Sequence, residues 1–385
     1  MPNHRLRELL REQREADDRR SPGRPELSVP RVALGCGNFG GIGSAPEFFG
    51  QGLTEDQALQ LMDAAFQAGL EWFDTADAYG GGRSEHAIGR WIASRGVRPR
   101  LTTKTFNPMA AAGDHGLKPD RIARQLRSSL ERLGVDHIEL YLAHDYDPAV
   151  PLAESLGAFQ AAQADGLIGA YGVSNFDARQ LAAALAAGAP RAVQNSYSLL
   201  ARQDGPELLP LCAERSLAYL AFSPLAGGWL TGKYRQGEPY PAGSRMTQRP
   251  EPYRDLVAGR TFEALARLRA IAADRGTSMA GLALAWLLAD DRVTQVVIGP
   301  GRPEHLAPVD SASGTSGSYS WARYSSTRST PSRSRLERSW RATRSGFRPW
   351  SAPASTGLKV LVVSRGRTPR EAIQRPIARS LRPPP

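Results

Sequence analysis

Four polar residues of the chain have the types needed to reduce a carbonyl group. Asp74 ends the apolar run EWFD, Tyr79 follows in the next loop, Lys104 ends RLTTK, and His144 ends IELYLAH. A tyrosine can protonate a developing alkoxide, and a neighbouring ammonium favours the phenolate and lowers the tyrosine pKa. An aspartate keeps the lysine charged, and a histidine can donate a hydrogen bond to the substrate oxygen. We therefore predict that these four residues form one catalytic group.

The elements that must position these residues form a repeating pattern. Eight short apolar runs alternate with helical patterns between residues 32 and 299. Such alternation predicts parallel βα units, and eight units match a (β/α)8 TIM barrel in length and number. Chemistry in these barrels lies at the C-terminal ends of the strands. The polar residues above fall at such ends, so we expect them to lie close together.

Six segments carry a resemblance to a known family. They are FDTADAYGGGRSEHAIGR, LTTKTFNP, YLAHDYDP, GVSNF, VQNSYSLLAR and AFSPLAGGWLTGKY. In this order they resemble the aldo-keto reductases, most of all the bacterial branch that is similar to potassium-channel β-subunits. The resemblance covers about residues 30–309. It implies a catalytic tetrad of Asp74, Tyr79, Lys104 and His144, and NADPH as the cofactor.

The resemblance also implies the residues that bind the cofactor and the substrate. Three would hold the nicotinamide carboxamide, one aromatic would stack on the ring, and the others would follow the phosphates. In chain order they are Ser174, Asn175, Gln194, Phe222, Ser223, Leu225, Gly227, Lys233 and Arg302. The last two are candidate cations for the phosphates. Phe39 would line the substrate pocket.

The predicted function is the NADPH-dependent reduction of a small or medium aldehyde or ketone to an alcohol. The cofactor would supply the hydride, and Tyr79 would supply the proton. The loops that select the substrate vary on a shared scaffold, so the sequence does not identify the compound.

Two other functions are weighed against this one. GCGNFG (35–40) spells G-x-G-x-x-G after an apolar run, which would suit a Rossmann-type dehydrogenase. That fingerprint requires a helix immediately afterwards, and GIGSAPEFFGQG is too rich in Gly and Pro to form one. A non-enzymatic, NADPH-binding redox-sensing barrel is the other alternative. The presence of all four catalytic residues favours an enzyme.

Charge divides the 385 residues into unequal parts. The net charge is +11, yet residues 311–385 hold 15 basic and two acidic residues, which leaves 34 basic and 36 acidic residues elsewhere. The barrel region therefore lacks the basic surface of a nucleic-acid binder. We predict a charged N-terminal extension over 1–28, the barrel over 29–310, and a Ser/Arg/Pro-rich tail over 311–385.

Several further features of the sequence indicate the cellular location of the protein and the kinds of site it contains. The chain has no apolar stretch long enough for a membrane span and no apolar core after its N-terminal charges. Its two cysteines suggest no disulfide framework, which fits the cytoplasm. The six histidines show no metal-ligand spacing. The sequence leaves the oligomeric state open.

The tail departs from the resembled family. Pro308 and Val309 stand where the family has a Glu-Asn pair that contacts the adenosine end of the cofactor, so we expect weak affinity at that end. The following Ser, Gly and Arg residues show no helical stripe. A shifted reading frame is the leading hypothesis, with a basic partner-binding arm or simple disorder as alternatives. We predict a poorly ordered tail whose deletion leaves activity nearly unchanged.

Overall fold

The computed structural model describes residues 27–110 and 113–309. The extension predicted for 1–28 therefore lies outside the described residues except for its last two positions. The tail predicted for 311–385, with its expected poor order, also lies outside them. Ala307–Val309, the last residues described, are helical.

Eight parallel strands close into a barrel in which each strand pairs with its neighbours in chain order. The strands, numbered β1 to β8, are Val32–Gly35, Trp72–Asp74, Arg100–Thr105, Ile138–Ala143, Ile168–Ser174, Ala192–Ser196, Ala218–Phe222 and Gln295–Ile298. Pairing of β1 with β8 completes the closure. The predicted (β/α)8 TIM barrel is confirmed. The Rossmann-type alternative is wrong, because that fold has an open sheet whose glycine loop opens directly into a helix.

Helices cover the outside of the barrel. The α-helices, numbered α1 to α9, are Glu55–Gln67, Arg83–Arg95, Pro119–Leu133, Leu152–Ala164, Ala178–Ala187, Leu208–Glu214, Arg245–Gln248, Gly259–Asp274 and Met279–Leu288. Short 3-10 helices span Pro46–Phe48, Tyr79–Gly82, Ala226–Thr231, Glu251–Leu256 and Pro303–Leu306. Among the described residues, none of the helices combines the length and the apolar character needed to cross a membrane.

Local sequence explains where several helices begin and end. Thr54 and Asp177 begin α1 and α5 with reciprocal capping boxes to Gln57 and Gln180. Pro119 occupies the first turn of α3, where its missing N–H costs nothing, and Gly134 ends that helix at a φ of 65°. These capping and terminating signals are readable in the sequence.

The alternation of side chains along β3 sets up the site. A cluster of apolar residues fills the barrel, with Trp72 and Leu142 among them. Thr102 accepts a hydrogen bond from the indole of Trp72 at 2.7 Å, so Thr102 and Lys104 share the inner face of β3. Thr103 and Thr105 therefore face the helices outside. Both faces of this strand are buried.

Candidate active site

The Asp74–Lys104 ion pair lies at the C-terminal end of the barrel. Asp74 ends β2, in register with Gly35 of β1 and Thr102 of β3. The Lys104 ammonium donates to Asp74 Oδ1 at 2.6 Å and to the backbone oxygen of Thr75 at 2.7 Å. Burial alone would lower the pKa of Lys104, but Asp74 and Tyr79 together raise it above the usual value. The lysine is therefore held charged inside the barrel.

Tyr79 approaches this pair from the loop after β2. It begins a 3-10 turn whose glycines, Gly80 and Gly81, adopt positive φ values of 60° and 68°. Lys104 Nζ lies 3.5 Å from the Tyr79 hydroxyl, to which it donates, and 5.0 Å from the ring centroid. The loop conformation thus places the phenol directly beside the ammonium.

The pKa of Tyr79 differs from the sequence-based prediction. Lys104 does lower this pKa, as predicted, but burial raises it by more, and Asp74 raises it further. The prediction of a lowered pKa is therefore wrong for the net value. The consequence is a phenol that keeps its proton at neutral pH, which is the form able to donate one.

His144 follows β4 and faces the same group. Its ring lies edge-on to Tyr79 with the centroids 5.5 Å apart. Burial lowers its pKa well below the usual value, and the charge of Lys104 lowers it further. Nδ1 of His144 lies 3.2 Å from the side-chain nitrogen of Asn107. The imidazole is therefore neutral at physiological pH, with one ring nitrogen that donates and one that accepts.

Polar residues at the C-terminal ends of β5 and β6 lie beside the four predicted catalytic residues. Gln194 Nε2 donates to Asp74 Oδ2 at 2.6 Å, and Ser174 Oγ donates to the Gln194 backbone oxygen at 2.8 Å. Asn175 adopts a φ of 60° and donates from Nδ2 to the backbone oxygen of His144 at 2.8 Å. Of the three residues predicted to hold the carboxamide, Gln194 and Asn175 therefore contact residues predicted to be catalytic, and Ser174 is joined to them through Gln194.

The segment after β7 forms a strained loop beside the barrel end. Phe222 ends β7 and packs against the barrel core. Ser223 has a φ of 52°, and Gly227 one of 63°. A Cβ on Gly228 would lie 2.7 Å from Lys233 Nζ, so the ammonium rests against the glycine backbone. Leu225 precedes the 3-10 helix of this loop. The predicted phosphate segment is thus one continuous turn.

Lys233, at the end of this loop, senses the charges of two arginines. Burial lowers the pKa of Lys233, and the positive charges of Arg245 and Arg302 lower it further. Mutual repulsion of this kind is relieved when an anion binds between the cations. Two of them, Lys233 and Arg302, were predicted. Arg245 was missed because it belongs to the long connection after β7, where sequence gives no strand end or helical period to locate it.

Two other residues stand apart from the prediction. Phe39 has no exposed surface, and its backbone forms a bridge with Leu53. Its place in a substrate pocket therefore stays a prediction. Asn107, which contacts His144, was not identified from sequence. The signal that could have found it is its position directly after β3, at the same end of the barrel as Lys104.

Comparison with known proteins gives one consistent result. The model of the aldo/keto reductase family matches residues 31–314. The oxidoreductase YrpG of Bacillus subtilis is 35% identical over 302 residues, which cover 74% of this chain and 87% of that protein. A probable voltage-gated potassium channel subunit beta of Oryza sativa is 32% identical over 272 residues, 67% of this chain and 82% of its own.

A solved structure is similar over most of the chain. The glycerol dehydrogenase of Gluconobacter oxydans superposes with a TM-score of 0.66 at 26% identity, covering 85% of this chain and 93% of its own. The predicted resemblance, including its likeness to potassium-channel β-subunits, is confirmed by these matches. The chain belongs to the aldo/keto reductase family of oxidoreductases.

Proposed function

We propose that the protein reduces a small or medium aldehyde or ketone to an alcohol with NADPH, in the cytoplasm, with Tyr79 as the proton donor. The observation that carries this proposal is the continuous contact chain from Gln194 through Asp74 and Lys104 to Tyr79. It joins a residue suited to hold a nicotinamide to a residue suited to protonate an oxygen.

The donor set fits a nicotinamide dinucleotide. Ser174, Asn175 and Gln194 present amide and hydroxyl groups at the barrel end, where a carboxamide needs both donors and acceptors. The turn after β7 and the cations Lys233 and Arg245 suit phosphates. When bound, the nicotinamide supplies the hydride to the carbonyl carbon. The preference for NADPH over NADH rests on the additional phosphate of NADPH, with which these cations would form ion pairs.

The side chains have separable roles in this reaction. The neutral imidazole of His144 donates a hydrogen bond to the carbonyl oxygen and fixes its position. As negative charge develops on that oxygen, the Tyr79 hydroxyl transfers its proton there. Lys104 then stabilises the phenolate left behind, and Asp74 keeps the lysine charged. Solvent returns a proton to Tyr79 after the alcohol leaves.

The test is steady-state loss of NADPH absorbance with a panel of aldehydes and ketones. We expect repeated turnover with at least one reactive aldehyde, and tighter binding of NADPH than of NADH in a fluorescence titration. Equal or tighter NADH binding would contradict the cofactor preference. A single oxidation of bound NADPH without further turnover would instead support the redox-sensing alternative.

A further inference from the structure

Asn107 lies where it can control the proton of His144. It follows β3 in the loop that leads to α3, and its side-chain nitrogen lies 3.2 Å from Nδ1 of the imidazole. A neutral imidazole carries one N–H, so the partner of one ring nitrogen decides which nitrogen holds the proton. If Asn107 donates to Nδ1, the proton is confined to Nε2.

The position of Asn107 is fixed by a buried guanidinium. Arg121 of α3 is 1% exposed and donates to the backbone oxygen of Asn107 at 2.9 Å. The same guanidinium donates to Thr105 Oγ1 at 2.8 Å and to the backbone oxygen of Gly116 at 3.0 Å. Both ends of the loop are therefore tied to one rigid group, which holds the Asn107 backbone in place.

The backbone of His144 is held on two sides. The backbone N–H of His144 donates to the Thr105 oxygen at 2.9 Å, and Asn175 donates to the His144 backbone oxygen. The charged groups nearby are Lys104, which lowers the pKa of His144, and its partner Asp74.

The chemistry of the substrate selects one tautomer. A carbonyl oxygen only accepts hydrogen bonds, so His144 must present an N–H toward it. With Nδ1 turned to Asn107, that N–H must be Nε2. An acceptor at Nδ1 would move the proton to the wrong side of the ring.

We propose that Asn107 is a positioning residue that donates to Nδ1 of His144 and thereby keeps the Nε2 proton available to the substrate oxygen. The inference deepens the proposed carbonyl reduction and rests on it for its purpose. The tautomer itself can be measured without any turnover.

The experiment begins with the full chain labelled with 15N-histidine, studied by long-range 1H–15N correlation at pH 8. His144→Gln identifies the His144 signals among those of the six histidines. We expect an unprotonated Nδ1 and a protonated Nε2 in the wild type. A protonated Nδ1 would mean that the amide presents its oxygen to the ring, and the proposal would be overturned.

Two variants then test the cause. In Asn107→Leu we expect mixed tautomers and a fall in kcat/KM for the carbonyl of about tenfold, the rate equivalent of one net hydrogen bond. In Asn107→Asp the carboxylate should raise the pKa of His144 and add a new ionisation to the pH profile of kcat/KM. Cofactor affinity should not change in either variant.

Asp120→Asn serves as the control, because Asp120 is exposed at the start of α3 and pairs only loosely with Arg124, at 3.7 Å. It should leave the tautomer and kcat/KM unchanged. An unchanged tautomer in Asn107→Leu would overturn the proposal. If the tautomer responds as expected while no aldehyde is reduced by the wild type, Asn107 has the proposed effect on His144 and the proposed function fails.

Discussion

A cluster of polar side chains lies on each face of β3, and the two clusters differ in which partners their charged side chains have. On the inner face, the Lys104 ammonium meets Asp74, the Thr75 oxygen and Tyr79. On the outer face, Thr103 donates to Glu85 at 2.5 Å, and Thr105 accepts from Arg121. One strand therefore separates an inner group at the C-terminal end of the barrel, formed by Asp74, Lys104 and Tyr79, from an outer group between the strands and helices, formed around Glu85, Arg121 and Asp77.

The outer group contains a carboxylate that is poorly satisfied. Asp77 has no exposed surface, and among the described residues no donor forms a well-aligned hydrogen bond to either carboxylate oxygen. Burial and, to a lesser extent, the charge of Glu85 raise its pKa, Thr105, Arg121 and Ala78 offset only part of this, and the net value is about 7. The inner carboxylate, Asp74, is paired at both oxygens. Asp74 and Asp77 are both buried, so pairing, rather than burial, is what distinguishes these two carboxylates.

The largest effect is expected from breaking the inner ion pair. Lys104→Met should abolish measurable carbonyl reduction and destabilise the fold by about 3–5 kcal/mol, because Asp74 is left buried and unpaired. Urea unfolding and NADPH oxidation measure the two losses. Arg90→Met breaks the exposed pair with Glu55 and should cost less than about 1 kcal/mol. Retained turnover at neutral pH in Lys104→Met would show that the four residues do not act together.

The next effect separates the half-buried Tyr79 from the buried Tyr141. Tyr79→Phe should lower kcat about 10²-fold, the usual scale for a positioned acid, with cofactor affinity and stability nearly unchanged. Tyr141→Phe is its matched control, because the Tyr141 hydroxyl is buried and forms no well-aligned hydrogen bond among the described residues, although Thr105 is close enough to lower its pKa in part. It should preserve activity and stabilise the fold by about 1 kcal/mol. Near-normal reduction by Tyr79→Phe would remove Tyr79 from the proposed mechanism.

The third prediction concerns the cost of ionising Asp77. Because its folded pKa of about 7 exceeds the ordinary 3.8, the unfolded chain loses the proton first as pH rises. Stability should therefore fall between these two pH values and level off above about 7. Asp77→Asn removes this loss, so its gain in unfolding free energy should be about 2 kcal/mol larger at pH 8 than at pH 5. Equal gains at the two pH values would show that Asp77 is already ionised in the fold at pH 5.

The smallest effect tests the coupling within the outer group. Glu85→Gln removes a negative charge that raises the pKa of Asp77, so the pH at which stability levels off should fall by about half a unit. Unfolding free energy measured from pH 5 to 8 follows this shift. The double variant with Asp77→Asn should show no further pH response in this range. A response that persists in the double variant would assign it to another group.

The sequence alone determined the barrel and the membership of its inner site. Eight βα units follow from the periodicity of the chain, and the parallel closure places Asp74, Lys104, His144, Ser174 and Gln194 at one end, since all strands point the same way. Helix limits were also readable where a cap marks them, as at Gly134. These features depend on local pattern and on topology, both of which the order of residues encodes.

Only the tertiary structure determined the properties that depend on distances between side chains and on their exposure to solvent. The net pKa of Tyr79 reflects how far the folded protein shields the hydroxyl from solvent, which no motif states, and this desolvation exceeds the effect of the neighbouring ammonium. The contacts of Asn107 and Arg245 arise from loops whose path is set by distant partners such as Arg121. Asp77, two residues from Tyr79 in sequence, lies in the outer group because the chain turns between them. A charge interaction depends on the separation in space and on the surrounding dielectric, and both are fixed only when the chain is folded.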